Sequence, residues 1–158
     1  MRRGRGNGYG DGVEEIDRKI VSLLSGDGRM SFTELARQTG LSVSAAQQRV
    51  RRLERRGVIT GYAAQVNADD VGLPLTAFVS IKPFDAAAPD DLPQRLEHLP
   101  AIEACHSVAG DENYILKVRV GSPAALEDLL YQIRTLGGVS TRTTVVLSTP
   151  YENRPPDI

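Results

Sequence analysis

The chain has 158 residues, 41% apolar and 25% charged, a composition that predicts an ordinary water-soluble globular protein, and its formal net charge is −1. One cysteine, Cys105, excludes an intrachain disulfide and a cysteine-rich zinc site, and with only His98 and His106 to assist it neither a metal nor a cofactor is expected. The near-neutral total hides a split: residues 1–66 hold twelve Arg and Lys against seven Asp and Glu, whereas residues 67–158 hold seven against thirteen, which points to nucleic-acid contact by the first part and assembly or ligand sensing by the second.

The opening stretch, residues 1–12, is Gly-rich, basic and free of aliphatic side chains, so it reads as a flexible arm. No apolar segment follows its arginines and no apolar run approaches the roughly 18 residues of a membrane span, so a cytoplasmic protein with no membrane partner is expected. Val13, Ile16, Ile20 and Leu23/Leu24 recur at helical spacing and predict a helix ending near Gly26. Ser31-Phe32-Thr33-Glu34 has the form of a capping box, which starts a second helix with Leu35 and Ala36 inward. Gly40-Leu41 interrupts that helix, and Ser42 offers an N-cap hydroxyl to a third helix whose inward residues are Val43, Ala46, Val50 and Leu53. Two short helices joined by a Gly-containing turn are the signature of a helix-turn-helix.

The outward face of the third helix carries the chemistry of base and phosphate recognition. Ser42, Ser44, Gln47, Gln48, Arg49, Arg51 and Arg52 are the candidate DNA-binding residues, with Arg55 on the same side. Gln bonds adenine bidentately, Arg bonds guanine, and hydroxyl or guanidinium groups grip phosphates. Val58-Ile59 and residues 62–66 then predict a hydrophobic lock and a short strand or wing, closing a domain over 13–66.

Asn67-Ala68-Asp69-Asp70-Val71-Gly72 is acidic and turn-forming, and marks a linker over 67–72. Beyond it the apolar period changes to two. Ala77, Val79 and Ile81 predict a strand stopping at Pro83. Leu92, Leu96 and Leu99 predict a helix ended by Pro100. A strand over 102–109, a tight turn at Gly110-Asp111-Glu112-Asn113, and a strand over 114–120 with Tyr114, Leu116, Val118 and Val120 on one face come next. Ser122-Pro123 opens a helix that Gly137-Gly138 ends, and a last strand starts at Val139. The order βαββαβ over 73–149, before a tail at 150–158, predicts an α+β fold: a winged helix-turn-helix joined to a ferredoxin-like domain with both helices on one face of an antiparallel sheet. The uncovered face, expected to bear Tyr114 and neighbouring aliphatics, predicts self-association.

Several spaced motifs resemble the Lrp/AsnC family of transcription regulators. They are Val13 to Ile20 (VEEIDRKI), Leu35 to Tyr62 (LARQTGLSVSAAQQRVRRLERRGVITGY), the Gly110-Asp111-Glu112-Asn113-Tyr114 turn, and Gly138-Val139-Ser140-Thr141-Arg142-Thr143. The resemblance implies a regulator of double-stranded DNA that pairs through its C-terminal sheets as a homodimer, often building further into octamers, and the two-fold symmetry of such a dimer predicts a palindromic operator. It also implies sensing of an amino acid or small metabolite between C-terminal domains, with Gly110, Asp111, Asn113, Tyr114 and Thr143 as the candidate effector-binding residues. Glu14 stands where the family usually has an aspartate, a poorer N-cap that Asp11 would replace. Asn113 stands where a second aspartate is usual, which removes a full charge partner for an effector's ammonium.

An enzyme is the rival reading, since sirohaem decarboxylases share this two-domain plan. It expects an acid at His106 or His98, and the intact basic face of the third helix argues against it. No catalytic residue is therefore assigned. An architectural DNA-compacting protein differs from the preferred reading only in specificity.

Overall fold

In the computed structural model, which describes residues 14–85, 91–155 and 158, the apolar stripe beginning near Ile16 forms helix α1 (Glu15–Gly26). Glu14 occupies its N-cap without a side-chain cap bond, while Val13 (the first residue of the expected stripe), Asp11 and the arm over 1–12 lie outside the described residues. Ser31 caps α2 (Phe32–Thr39) by accepting from the Glu34 amide at 3.2 Å, and Gly40 closes it at φ 71°, a left-handed conformation that glycine adopts without a Cβ clash. The capping box is only half formed. Arg37 and Gln38, one turn further on, capture the Glu34 carboxylate and hold its pKa down to about 2. Ser42 then caps α3 (Val43–Arg55) through the Ala45 amide at 3.2 Å.

Ile20, Leu35, Ala36, Ala46, Val50 and Leu53 form the core of this helical unit, with Leu24, Met30, Leu41 and Ile59 packed around it. Each fully buried Val, Leu or Ile stabilises by roughly 1.5–3 kcal/mol. Val43, expected inward, is exposed instead. It is the first residue of α3, and with no preceding turn on its helix there is little surface for it to cover. Ile59 fulfils the expected lock, but residues 62–66 form no strand; among the described residues no segment supplies the ladder partner that their backbone would need.

The first unit runs to Ala64 and includes Tyr151–Ile158; the second spans Gln65–Pro150. Its sheet has the order β2-β3-β1-β4, all neighbours antiparallel. The strands are β1 (Leu75–Pro83), β2 (Ile102–Ser107), β3 (Tyr114–Val120) and β4 (Val139–Val145). Helices α4 (Leu92–Leu96) and α5 (Pro123–Gly137) complete the βαββαβ order. Ser122 caps α5 through the Ala125 amide, and Gly138 ends it at φ 62°. α4 is much shorter than its leucine spacing suggests, because Leu99 reaches the core from a turn closed by its amide on the Leu96 carbonyl.

Ala77, Val79, Ile81, Leu116, Val118, Leu126, Leu129, Ile133 and Val139 form one core between the helices and the sheet. Tyr114 belongs to it, at 5% exposure, which corrects the expectation that it lies on the uncovered face. The alternation along β3 carries Tyr114 with Leu116, Val118 and Val120, and that row is the one the helices cover. The opposite face carries Phe78 and Ser80 of β1, Ile115, Lys117 and Arg119 of β3, and Arg142 and Thr144 of β4. Phe78 is 41% exposed there.

Candidate nucleic-acid interface

α3 turns its period into function. Ala46, Val50 and Leu53 face the core, so Ser44, Gln48, Arg51 and Arg55, at successive spacings of four, three and four, are left exposed along the other side. They form a continuous polar stripe at whose N-terminal end Ser42 adds a hydroxyl 3.2 Å from that of Ser44. Gln47 is half-buried at the flank. Ala45, Gln48, Arg49, Arg51, Arg52 and Arg55 line an open concavity of about 550 Å³. Among the described residues neither Arg51 nor Arg55 has a carboxylate partner.

Arg49 and Arg52 are in a different situation. Sequence grouped them with Arg51, but the structure ties both to α1. Arg49 Nη1 donates to Asp17 Oδ1 at 2.8 Å and to Glu14 Oε2 at 2.9 Å. Arg52 Nη2 donates to Asp17 Oδ2 at 2.6 Å and to Glu14 Oε1 at 3.1 Å. Asp17 is fully buried, and burial raises its pKa, but the hydrogen bonds from Arg49 and Arg52 outweigh that and hold it below the usual carboxylate value. Glu14 is lowered too, chiefly by its bond from Arg49. Arg52 Nε is buried with no acceptor among the described residues, so this guanidinium keeps its pose at some desolvation cost.

Asp17 is the residue that sequence reasoning passed over. Its signal was present: it falls three residues before Ile20 and seven before Leu24, a carboxylate on an apolar stripe that needs a cation once buried.

The candidate effector residues are not all gathered. Gly110, Asp111 and Asn113 lie exposed in the loop between β2 and β3, which is fixed by the Asn113 amide on the Ile81 carbonyl and the Val108 amide on the Asn113 carbonyl. Glu112 in that loop accepts from Arg142 of β4, which lowers its pKa. Tyr114 points into the core beneath the loop. Thr143 sits opposite Val79, with β1 between it and β3, two ladder spacings of roughly 4.8 Å away. His98 and His106 are both exposed, and no group of three or more His, Cys, Asp and Glu among the described residues is arranged to hold a metal. No described helix is long and apolar enough to cross a membrane.

Comparison with known proteins yields matches over both units. A family model described as winged helix-turn-helix DNA-binding matches residues 13–60, and one described as the Lrp/AsnC ligand binding domain matches residues 76–156. The HTH-type transcriptional regulator LrpA of Mycobacterium tuberculosis is 54% identical over 144 residues, 91% of this chain and 96% of its own length. The leucine-responsive regulatory protein of Escherichia coli is 41% identical over 143 residues, 87% of each chain. A solved feast or famine regulatory protein from M. tuberculosis, complexed with L-methionine, superposes with a TM-score of 0.89 at 54% identity, covering 92% of this chain and 100% of that one.

Proposed function

The chain belongs to the Lrp/AsnC family of transcriptional regulators, and from that premise we propose that it is a sequence-specific DNA-binding regulator whose reader is the exposed side of α3. The observation that carries this reading is the Ser44–Gln48–Arg51–Arg55 stripe. Its side chains are free of ion pairs among the described residues and are set on a helix whose opposite side is locked in the core. Ser42 and Gln47 flank the stripe as further phosphate or base contacts. Arg49 and Arg52, paired with Asp17 of α1, stand apart from this free stripe.

The protein acts in the cytoplasm as a homodimer, or as an octamer built from such dimers, joined through the open sheet face around Phe78. Two-fold symmetry then presents two readers to successive major grooves roughly 34–36 Å apart, which selects an imperfect palindrome. An amino acid or related metabolite, as suggested by the methionine complex of the M. tuberculosis relative, binds between C-terminal units at the loop bearing Gly110, Asp111 and Asn113. Tyr114 buttresses that loop from the core, and Thr143 contributes from β4. Binding there favours one arrangement of the assembly and so re-spaces the readers.

The decisive experiment is a titration of a duplex taken from upstream of the protein's own gene with wild type and Arg51→Ala over a series of salt concentrations. Loss of one phosphate contact lowers the slope of log K against log salt by about 0.9, and loss of a bidentate guanine contact weakens the operator by roughly 1–3 kcal/mol. Unchanged affinity and slope would remove α3 from the DNA.

A further inference from the structure

The four arginines of α3 fall into two interleaved pairs, and this inference rests on the reading of α3 as the DNA reader. Arg51 and Arg55 are exposed. Arg49 and Arg52, on the flank toward α1, are only 27% and 38% exposed, and each is held by two carboxylate oxygens, one from Asp17 and one from Glu14. A helix with all four guanidinium groups free would attract any duplex, because phosphate contacts carry no sequence information and dominate non-specific binding. Two carboxylates against two guanidinium groups leave the flank neutral.

We propose that Asp17 and Glu14 are specificity-determining residues of the DNA reader: they clamp Arg49 and Arg52 onto α1, keep both away from phosphates, and leave recognition to Ser44, Gln48, Arg51 and Arg55. The full burial of Asp17 gives the clamp its hold. Arg49 and Arg52 cannot both swing toward a duplex without stranding an ionised carboxylate in the core. Glu14 is 55% exposed and adds the second acceptor from outside. Both carboxyls have lowered pKa values, so the clamp stays charged at neutral pH.

The test uses full-length wild type, Glu14→Gln, Asp17→Asn, Arg49→Gln, Arg51→Ala and, as a control, Glu15→Gln. The control makes the same change of charge on the same helix at an exposed residue that does not touch Arg49 or Arg52. Binding to the upstream duplex and to a random-sequence duplex of equal length is followed by fluorescence anisotropy across a salt series. Glu14→Gln and Asp17→Asn are expected to steepen the random-duplex slope by roughly 0.9 for each guanidinium released to a phosphate. They should also bind the random duplex several-fold more tightly and lower the ratio of specific to random affinity. Glu15→Gln and Arg49→Gln should keep the wild-type slope. Should Asp17→Asn not fold, Glu14→Gln decides alone: one guanidinium suffices to neutralise Asp17, so loss of Glu14 frees the other and steepens the random-duplex slope by about 0.9. A Glu14→Gln protein indistinguishable from Glu15→Gln, or an Arg49→Gln protein whose slope drops by about 0.9, overturns the clamp while an Arg51→Ala defect leaves the reader standing. A wild type insensitive to Arg51→Ala overturns both.

Discussion

Replacing Asp17 by Asn removes the only negative charge inside the helical core among the described residues while keeping its shape. Stripping one partner from a buried ion pair typically costs about 3–5 kcal/mol. Here the two cations are not sealed in, at 27% and 38% exposure, so water and Glu14 recover part of that, and the amide oxygen of Asn still accepts one hydrogen bond. The expected loss is therefore about 2–3 kcal/mol at pH 7. Urea unfolding followed by circular dichroism measures it, and amide exchange at Val50 and Leu53 assigns it to the helical unit. The loss has a pH signature. Asp17 has a folded-state pKa below its unfolded value of about 3.9, so its stabilisation is fully present above that value and disappears as pH falls through the folded one. The gap between wild type and Asp17→Asn should thus narrow toward zero in strong acid. A gap of under about 0.5 kcal/mol at pH 7, or one that persists unchanged into acid, would refute the electrostatic account of how α1 is joined to α3.

Three other substitutions probe separate features. Gly121→Ala puts a Cβ 2.9 Å from the Gly72 carbonyl oxygen, a backbone atom that cannot rotate away. The urea midpoint of the second unit should fall by an amount equivalent to roughly 1–3 kcal/mol, and a neutral result would mean that the turn at Gly72 yields freely. Ser42→Ala deletes the cap on α3 and should cost about 1 kcal/mol in the first unit, read by thermal unfolding; no loss would show that water caps the Ala45 amide equally well. Phe78→Glu places a charge on the open sheet face and is expected to reduce the size of the protein in light scattering with little change in unfolding midpoint. Persistence of the assembly would send the search for the contact elsewhere.

Much of this was legible because it is local. The three serine caps announce themselves by a hydroxyl three residues before the amide they satisfy, and strand alternation identifies Ala77, Val79 and Ile81 as a buried row without any knowledge of the partner. The misreadings arose where one residue has two competing uses or the partner is distant. Glu34 was expected to complete a capping box, but guanidinium and amide donors one turn away outcompete a backbone N–H. Alternation puts Tyr114 in a row with Leu116, Val118 and Val120, but it does not say which of the two rows the helices cover; the assembled sheet makes it this one, against the expectation of an open face. The leucines at 92, 96 and 99 have helical spacing, yet a turn after Leu96 delivers Leu99 to the core equally well. Most telling are Arg49 and Arg52. A helical wheel sets them on the flank away from Arg51, but it does not say what that flank faces; the carboxylates that hold them are more than thirty residues earlier in the chain.

The sheet's strand order carries a consequence for how the protein is made. β1 lies in the middle of the sheet, and one of its two neighbours, β4, is the last strand among the described residues, so Ala77 must wait for Val145 before that ladder can close. The core of the helical unit, from Ile20 to Ile59, needs only nearby turns and is complete before β1 has been synthesised; only Tyr151–Ile158 joins that unit later. Loop-closure entropy therefore makes acquisition of the sheet the slow step, and a ribosome-bound chain should carry folded α1, α2 and α3 well before the sheet face proposed for self-association exists. For as long as β4 is missing, one edge of β1 remains unpaired and prone to mispairing with other nascent chains.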